Sequence, residues 1–295
     1  MEQDTMTPNQ VSAHTFTEED KKFYEENGYI LVKKLLSKEK VDLYNQRFAD
    51  IANGVVPRKP FMILMKDITI AKTNVQGDQY ITKLQEFQDD EVLFGYSKEP
   101  DILTYVKGII GNEALAIHTM YINKPPDTGL GTSVHPTHQD LFYFPFRPAQ
   151  KQVGIWTAME YINQQNGCLY VLPGSHKTGV LLEHNYPKDQ LVNKGYLGIH
   201  SLTKEDEEKF VYLDMEPGDT IFFSTLLIHG SGPNKSDKAR KACSTHYASM
   251  QCEIIDVNGT LQEEFAHEME AMAEKMGMGA GITFKQIWKG KSRRV

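Results

Sequence analysis

The apolar positions of the chain follow two different spacings. Before about residue 110 they recur every three or four residues in several short stretches, whereas from Ala114 onward they recur at every second residue. The first spacing is typical of helices with one buried face, and the second is typical of half-buried strands. The pattern therefore predicts an N-terminal part in which helices support a sheet, followed by a β-rich main part.

Capping signals give the bounds of the N-terminal helices. The stretch Thr17–Asp20 resembles a capping box with an acidic first turn, Gly28 supplies a stop, and Ser37 is a suitable N-cap. Residues 55–80 carry little pattern, and we expect a loop there. The elements predicted before residue 111 are helices over 18–27, 38–53, 81–94 and 99–110 and a strand over 29–32.

Short apolar runs separated by turns occupy the chain from residue 114 to about residue 255. Turns at 173–175 and 216–219 contain Pro and Gly, which fix φ and allow the chain to reverse. Many short strands with such turns indicate a sandwich or a jelly-roll barrel, so the expected fold is mainly β with flanking helices. We expect the long polar stretch 179–208 to be a lid-like insertion. The predicted strands are 114–123, 139–145, 152–161, 168–172, 209–214, 219–224 and 241–251.

We expect a single domain over residues 15–290. A polar N-terminus (1–14) is expected to be disordered, and a basic tail (291–295) is expected to lie in solvent. The last helix is predicted over 261–276, and its apolar side consists of Leu261, Phe265, Met269 and Met272.

Composition and charge narrow the classes of function. The 295 residues are 40% hydrophobic and 24% charged, which is ordinary for a globular protein. The net charge of −7 argues against nucleic acid as a partner, because nucleic-acid binding requires an excess of Lys and Arg. No apolar stretch approaches 18 residues, so no integral membrane segment is expected. We also expect a monomer.

The cysteines favour a reducing compartment, and the termini lack two common targeting signals. Cys168, Cys243 and Cys252 form no CxxC pair and lie in apolar runs, which is typical of buried thiols in a reducing compartment. The N-terminus lacks the cationic and apolar regions of a secretory signal, and the C-terminus does not end in Ser-Lys-Leu.

Candidate chemistry is concentrated at His138 and Asp140. On an extended backbone, side chains two residues apart point the same way, so this pair offers a nitrogen and an oxygen to one point. About every second chain of this size contains such a pair by chance, and a surface turn or a hydrogen-bonded core pair is the simpler interpretation. One further His would complete the two-His-one-carboxylate set that holds non-haem Fe(II) with open positions.

His229 is the best candidate for the second His. It ends an apolar strand and precedes a glycine-rich loop, a position at the mouth of a β-barrel where ligands bind. By contrast, His184 and His200 lie in the polar insertion and His267 lies on a helix, so all three are expected to be exposed. His135 is the chief competitor as a ligand, and we keep it as a hydrogen-bonding neighbour of the metal-bound imidazoles.

Arg240 opens the strand that follows His229. Two open iron positions accept a bidentate 2-oxoacid, and a guanidinium farther in forms a forked pair with its distal carboxylate. The alternative is an arginine on the surface of a strand. Taken together, His138, Asp140, His229 and Arg240 predict an iron enzyme that uses 2-oxoglutarate.

Seven longer stretches form a pattern that is more specific than the spacing of the metal ligands. They are His118–Met120, Ile122–Asp127, His135–Pro148, Trp156–Glu160, Asn166–Cys168, Leu172–His176 and Leu227–Gly232. This pattern resembles the phytanoyl-CoA dioxygenase family, from about Thr17 to Trp288. The resemblance implies a double-stranded β-helix, which is a variant of the jelly roll.

The resemblance also implies a site. It places Fe(II) on His138, Asp140 and His229, and the distal carboxylate of 2-oxoglutarate on Arg240 and Ser231. The other residues that it places around 2-oxoglutarate are Lys83, Met120, Gln139 and Trp156.

Those four residues have simpler interpretations when the resemblance is set aside. Lys83 on a predicted helix would be solvated, and Met120 and Trp156 would be core residues. Gln139 would point away from the metal pair if the strand is regular.

The implied activity is hydroxylation of the α-carbon (C2) of a branched fatty acyl-CoA such as phytanoyl-CoA, a step of fatty acid α-oxidation. It requires Fe(II), 2-oxoglutarate and O2, with ascorbate as the reductant in vitro. The same chemistry on another lipid or small metabolite, or a non-catalytic binding relative, stays open. Arg58, Lys59 and Arg147 are candidate contacts for the CoA phosphates.

The resemblance implies a peroxisomal location. Peroxisomal family members carry an N-terminal import sequence, and no such nonapeptide is visible in this sequence. A cytoplasmic location is therefore the alternative.

Overall fold

The structure is a computed structural model that describes residues 14–66, 77, 81–129, 131–187 and 196–295. The expectation of disorder at the N-terminus therefore falls, apart from His14, outside the described residues, as do parts of the loop and of the insertion predicted above. The helices are α1 Glu18–Asn27, α2 Lys38–Ala52, α3 Glu91–Tyr96, α4 Pro100–Ile110, α5 Lys204–Glu208, α6 Glu263–Lys275 and α7 Phe284–Lys291. The strands are β1 Tyr29–Val32, β2 Ile63–Lys66, β3 Ile81–Gln85, β4 Ala114–Lys124, β5 His135–His138, β6 Phe146–Arg147, β7 Gln152–Ala158, β8 Leu169–Val171, β9 Val211–Leu213, β10 Thr220–Ser224, β11 His229–Ser231, β12 Arg240–Ser249, β13 Glu253–Ile254 and β14 Arg293–Arg294.

Antiparallel pairing organises the strands into two main sheets. The larger has eight strands in the order β1-β10-β7-β12-β4-β3-β2, with β14 also paired to β4. The smaller has four strands in the order β5-β11-β8-β9, and β13 pairs with β6 separately. Two antiparallel sheets of this kind form a jelly roll, as predicted. Among the described strands, no pairing joins the two main sheets into a closed barrel.

The two faces of the larger sheet have different neighbours. Helices α2, α3 and α4 cover the outer face, where Phe48 of α2 stacks on Tyr121 of β4 with ring centroids 4.1 Å apart. On the inner face, Trp156 of β7 and Phe223 of β10 share a core with Val171 of the smaller sheet. Because neighbouring residues of a strand point to opposite faces, polar side chains on the inner face lie between the sheets.

The predicted capping signals are confirmed. Thr17 and Asp20 form a reciprocal capping box at α1, and Gly28 ends the helix in the left-handed region with φ 82°. Ser37 accepts a hydrogen bond from the backbone N–H of Lys40 and caps α2. Among the described residues, every helix is too short or too polar to span a bilayer.

The helix predicted over 81–94 is wrong. Residues 81–85 form β3, which pairs with β2 on one side and β4 on the other, and α3 begins only after the N-cap Asp90. Ile81 and Leu84 are buried in the helix-covered core, and the two ladders satisfy the backbone groups of the strand. Long-range pairing therefore overrides the helical spacing of the apolar residues here.

The strand predicted over 139–145 is also wrong. The strand β5 ends at His138, and residues 140–143 form a 3-10 helix. The backbone N–H groups of Phe142 and Phe144 donate to the carbonyls of Gln139 and Leu141, so they are used within the turn. Pro145 follows and has no N–H to donate to a ladder.

The C-terminal region differs from the prediction in two places. On α6, Met272 is 51% exposed, and Leu261 just before the helix is 50% exposed, while Ala266 and Ala273 are buried. Phe265 and Met269 do pack against a buried cluster, as expected. The basic tail, predicted to lie in solvent, instead extends the larger sheet, because β14 pairs with residues 115–116.

The prediction of buried thiols is confirmed for two of the three free cysteines. Cys168 and Cys243 are buried thiols, and Cys252 is partly buried.

Replacement of Asp90 by Ala is expected to lower the free energy of unfolding by about 2–4 kcal/mol, because the buried carboxylate both caps α3 and accepts from Arg47. The control is Asp89→Ala, which removes a surface pair with Arg293 and is expected to change stability by about 1 kcal/mol or less. Urea denaturation measures both values. Equal effects would contradict the buried role of Asp90.

This stabilisation depends on pH. Burial alone would raise the pKa of Asp90, but the hydrogen bonds from Arg47 and from the α3 backbone hold the pKa below its usual value. A carboxyl with a depressed pKa stabilises the fold above its unfolded pKa, which is about 3.9, and the contribution is lost as the pH falls through the folded pKa. We therefore expect the difference between the two variants to shrink below about pH 4.

Candidate active site

Strand pairing brings the two predicted histidine ligands together. His138 is the last residue of β5 and His229 is the first residue of β11, and the two are direct partners in the ladder. Their ring centroids lie 4.3 Å apart. Gln139 keeps an extended backbone, with φ −120° and ψ 126°, so the side chain of Asp140 points to the same side as that of His138. One ligand atom from each of His138, Asp140 and His229 lies within 4.8 Å of the others.

Backbone carbonyls fix the protonation of both imidazoles. Nδ1 of His138 lies 2.8 Å from the carbonyl of Pro136, and Nδ1 of His229 lies 2.9 Å from that of Leu227. Because a carbonyl only accepts, Nδ1 carries the proton in each ring, and Nε2 keeps its lone pair in the neutral form. Burial lowers the pKa of His229 to about 4, so this ring is neutral at pH 7.

These Nε2 lone pairs face a carboxylate. Nε2 of His138 lies 3.2 Å from Oδ1 of Asp140, and Nε2 of His229 lies 3.8 Å from Oδ2. Burial alone would raise the pKa of Asp140, but His246, which lies 2.7 Å from Oδ2, holds the pKa well below its usual range. Converging lone pairs repel one another unless a cation lies between them.

The donor set fits a metal ion. In an octahedral site with ligand distances of about 2.1 Å, neighbouring ligand atoms are about 3 Å apart, close to the separation of His138 and Asp140. Two imidazole nitrogens and one carboxylate oxygen are the ligands of non-haem Fe(II) with open positions. The three residues therefore fit Fe(II).

A cavity of about 240 Å³ lies next to direct neighbours of these residues, although none of the three lines it. It is lined by Ser231, two residues after His229, and by His135, whose ring stacks on His138 with centroids 4.3 Å apart. Among the described residues that line it, none is acidic, and the cationic ones are Lys66, Lys83, Lys124 and Arg240. A cavity with this charge favours an anionic ligand.

Arg240 is fixed by one hydrogen bond and by packing, and other N–H groups of its guanidinium can still bind a ligand. The side chain is 1% exposed, its guanidinium lies 5.1 Å from the ring centroid of Trp156, and Nη2 donates to the carbonyl of Gly167. Nε has no hydrogen-bond partner among the described residues. Burial lowers the pKa of Arg240 to about 10, so the group stays charged at neutral pH. Because one N–H of this buried charge is unused among the described residues, the group is suited to bind an anion.

Lys124 is a residue of this site that the sequence analysis missed. Its Nζ donates to Oγ of Ser231 over 2.7 Å and to the carbonyl of Gly232 over 2.6 Å. Burial, followed by the charge of Arg240, lowers the pKa of Lys124 well below its usual range. The alternation of β4 carried the signal, because Lys124 continues the face of Met120 and Ile122.

The structure separates the remaining pocket residues into two groups. Lys83 and Trp156 line the cavity, and Nζ of Lys83 lies 4.3 Å from the ring centroid of Tyr196. Lys83 lies on β3 and is buried, so the solvated interpretation is wrong. Met120 is not among the residues that line the cavity.

Gln139 points away from the cavity. Its Nε2 donates to the carbonyls of Val180 and Leu226, and its Oε1 accepts from the N–H of Leu182. The side chain of Gln139 therefore fixes the start of the polar insertion next to the metal ligands His138 and Asp140.

The other histidines follow the predictions in part. His200 and His267 are exposed, as expected. His184 is buried, contrary to the prediction, because its Nε2 accepts from the backbone N–H of Gln139 and its ring stacks on Phe142. The sequence analysis also gave no role to His246, whose Nε2 lies 2.7 Å from Oδ2 of Asp140.

Arg147 is not available as a phosphate contact. Its guanidinium donates to the carbonyls of Phe144 and Phe146 and to Oε1 of Gln262. Arg58 and Lys59 are exposed before β2, the edge strand that borders the cavity through Met65 and Lys66.

Comparisons with known proteins show the family of the chain. The profile of the family described as Phytanoyl-CoA dioxygenase (PhyH) matches residues 24–242. The chain belongs to this family. It is 47% identical over 285 residues to the peroxisomal phytanoyl-CoA dioxygenase of Mus musculus, covering 96% of this chain and 83% of the relative. It is 46% identical over 290 residues to the probable phytanoyl-CoA dioxygenase of Caenorhabditis elegans, covering 94% of this chain and 92% of the relative.

Solved structures of lower identity share the jelly-roll fold of the family. The epimerase SnoN in complex with Fe3+, alpha ketoglutarate and nogalamycin RO has a TM-score of 0.61 at 16% identity, covering 80% of this chain and 85% of SnoN. EctD from S. alaskensis in its apoform has a TM-score of 0.63 at 15% identity, covering 82% of each chain. At these identities the similarity concerns the fold alone.

Replacement of His138, Asp140 or His229 by Ala is expected to weaken Fe(II) binding by more than about 100-fold, because each change removes one ligand. Anaerobic competition with a chelator measures the affinity, and circular dichroism checks the fold. The control is His200→Ala, which removes an exposed imidazole and should leave the affinity unchanged. Wild-type affinity in any one of the three variants would exclude that residue as a ligand.

Proposed function

We propose that the chain is an Fe(II)- and 2-oxoglutarate-dependent dioxygenase that hydroxylates C2 of a branched fatty acyl-CoA such as phytanoyl-CoA. The observation that carries this proposal is the position of His138, Asp140 and His229, whose direct neighbours line a cavity with cationic charged residues. Family membership supplies the substrate class, since the mouse and human relatives are named phytanoyl-CoA dioxygenases.

The proposed ligands of Fe(II) are His138, Asp140 and His229. When bound, the iron supplies the chemistry that activates O2 and allows an unactivated C–H bond to be hydroxylated. In the overall reaction one oxygen atom enters the acyl chain, the other enters succinate, and 2-oxoglutarate loses CO2. The reaction consumes no further reductant, so ascorbate serves to keep the metal reduced in vitro.

The cationic residues would bind 2-oxoglutarate. Arg240 is buried, and its Nε has no partner in the part of the chain that the structure describes. Ser231 accepts from Lys124, so Arg240 and Ser231 would form a site for the distal carboxylate. Trp156 packs on the guanidinium and restricts its orientation. Lys83, on β3 of the same sheet, adds a further positive charge to the cavity lining, which would neutralise the rest of the dianion.

Aromatic side chains form part of the cavity wall. His135, Trp156 and Tyr196 line it, and His135 covers one face of His138. Walls of low polarity strengthen the charge interactions between the cavity and a bound anion.

Arg58 and Lys59 stay candidates for the CoA phosphates. Both are exposed in the loop before the edge strand β2, and the far end of this strand borders the cavity through Met65 and Lys66. We propose a peroxisomal location on the basis of the mouse and human relatives, which are named as peroxisomal.

The substrate class is tested by mass spectrometry of phytanoyl-CoA and of free phytanic acid, each incubated with the protein, Fe(II), 2-oxoglutarate and O2. We expect the mass of one oxygen atom to be added to the acyl-CoA and much less to the free acid. Equal turnover of both would contradict the role of CoA. Decarboxylation of 2-oxoglutarate without acyl hydroxylation would favour another lipid or metabolite, and loss of both activities would favour a binding protein.

Replacement of Arg240 by Met is expected to raise the KM for 2-oxoglutarate by about 10- to 100-fold, because a charged hydrogen bond contributes about 1.5–3 kcal/mol. Initial rates at varied 2-oxoglutarate concentration measure this effect. The control is Arg294→Met, which removes an exposed charge paired with Glu113. An unchanged KM in Arg240→Met would exclude this residue as the anchor.

A further inference from the structure

We propose that His246 is a positioning residue that holds Asp140 so that the carboxylate offers a single oxygen to the metal. The inference rests on the proposed metal site and concerns a residue to which neither the sequence analysis nor family membership gives a role. Three features support it: the hydrogen bond from His246 to Asp140, the packing around the His246 ring, and the number of Asp140 oxygens that are left free for the metal.

The hydrogen bond between His246 and Asp140 is short and has no competitor. The side chain of His246 is 2% exposed, and its Nε2 lies 2.7 Å from Oδ2 of Asp140. The other ring nitrogen, Nδ1, has no hydrogen-bond partner among the described residues. The imidazole therefore directs its polar contact to one atom, and since a carboxylate only accepts, Nε2 is the donor.

The surroundings of His246 fix the direction of this donor. The register of β12 against β4 shifts between His246 and Tyr247, and a bulge of this kind re-aims a side chain. The ring packs against Phe144 with centroids 4.8 Å apart. On the neighbouring strand, Gly154 leaves the space that the ring occupies, because a Cβ there would lie 3.0 Å from Cδ2 of His246.

The hydrogen bond from His246 leaves one oxygen of Asp140 for the metal. Oδ1 of Asp140 lies 3.2 Å from Nε2 of His138, the separation of neighbouring ligands. Oδ2 lies farther from its nearest ligand nitrogen, 3.8 Å from Nε2 of His229, and accepts from His246 over 2.7 Å. A carboxylate that bound the metal through both oxygens would occupy a position that the 2-oxoacid and O2 require. By holding Oδ2, His246 keeps three positions open.

His246 is placed outside the ligand set itself. The three residues whose ligand atoms lie within 4.8 Å of one another are His138, Asp140 and His229, and His246 is not among them. Because its Nε2 is the donor to Asp140, this nitrogen has no lone pair for a metal.

The test compares His246→Leu, which removes the donor, with His246→Gln, whose amide donates from a position similar to that of Nε2. We measure the Kd of Fe(II) by anaerobic competition with a chelator and the visible absorption of the Co(II)-loaded protein, which reports coordination number. We expect His246→Leu to weaken Fe(II) binding by about 10- to 100-fold and to change the Co(II) spectrum. His246→Gln is expected to keep both close to wild type.

A packing control separates positioning from support of the fold. Phe144→Leu removes part of the surface on which the His246 ring packs but leaves the donor, so its Fe(II) affinity should stay within a few-fold of wild type. Should His246→Leu not fold, His246→Asn makes the same comparison, because its shorter amide does not reach Oδ2.

Three results would overturn the inference. They are wild-type affinity and spectrum in His246→Leu, equal loss of affinity in His246→Leu and Phe144→Leu, and failure of folded His246→Gln to restore binding. A wild-type chain that binds neither Fe(II) nor Co(II) would instead overturn the proposed metal site itself.

Discussion

The ladder between β5 and β11 is the constraint on which the site depends. It places His138 directly opposite His229, and the extended Gln139 then carries Asp140 to the same point. A shift of one residue in this register would turn one histidine to the other face of the sheet. Backbone pairing therefore determines where the three ligand residues lie, and side-chain contacts adjust the orientation of their ligand atoms.

The arrangement of the layers allows the interior to be polar. The helices bury the outer face of the larger sheet against aromatic residues such as Phe48 and Tyr121, so apolar packing there stabilises the fold. The inner face is then free to carry Arg240, Lys124 and His246, which an ordinary core would exclude. The buried charge of Arg240 is unfavourable until an opposite charge is bound. The positive cavity and the negative metal-ligand carboxylate thus lie side by side, each complementary to a different ligand.

The local parts of this architecture could be predicted from the sequence. Capping residues gave α1 and α2, and period-two alternation gave β4, because these signals act between residues close in the chain. The residues 81–85 could not be assigned correctly, because their strand exists only through pairing with β2 and β4. The same limit applies to the site. His138, Asp140, His229 and Arg240 carried signals of type and spacing, and Lys124 carried one in the alternation of β4. His184 and His246, by contrast, take part through contacts with residues more than forty positions away.

The most direct test of the account is the visible absorption of the Fe(II)-loaded chain when 2-oxoglutarate is added without O2. We expect a new metal-to-ligand charge-transfer band, because the 2-oxoacid would bind the iron held by His138, Asp140 and His229 while Arg240 binds its distal carboxylate. The band should be absent in Asp140→Ala at the same iron and 2-oxoglutarate concentrations. A wild-type chain that binds both iron and 2-oxoglutarate yet shows no such band would contradict the claim that they meet at one centre.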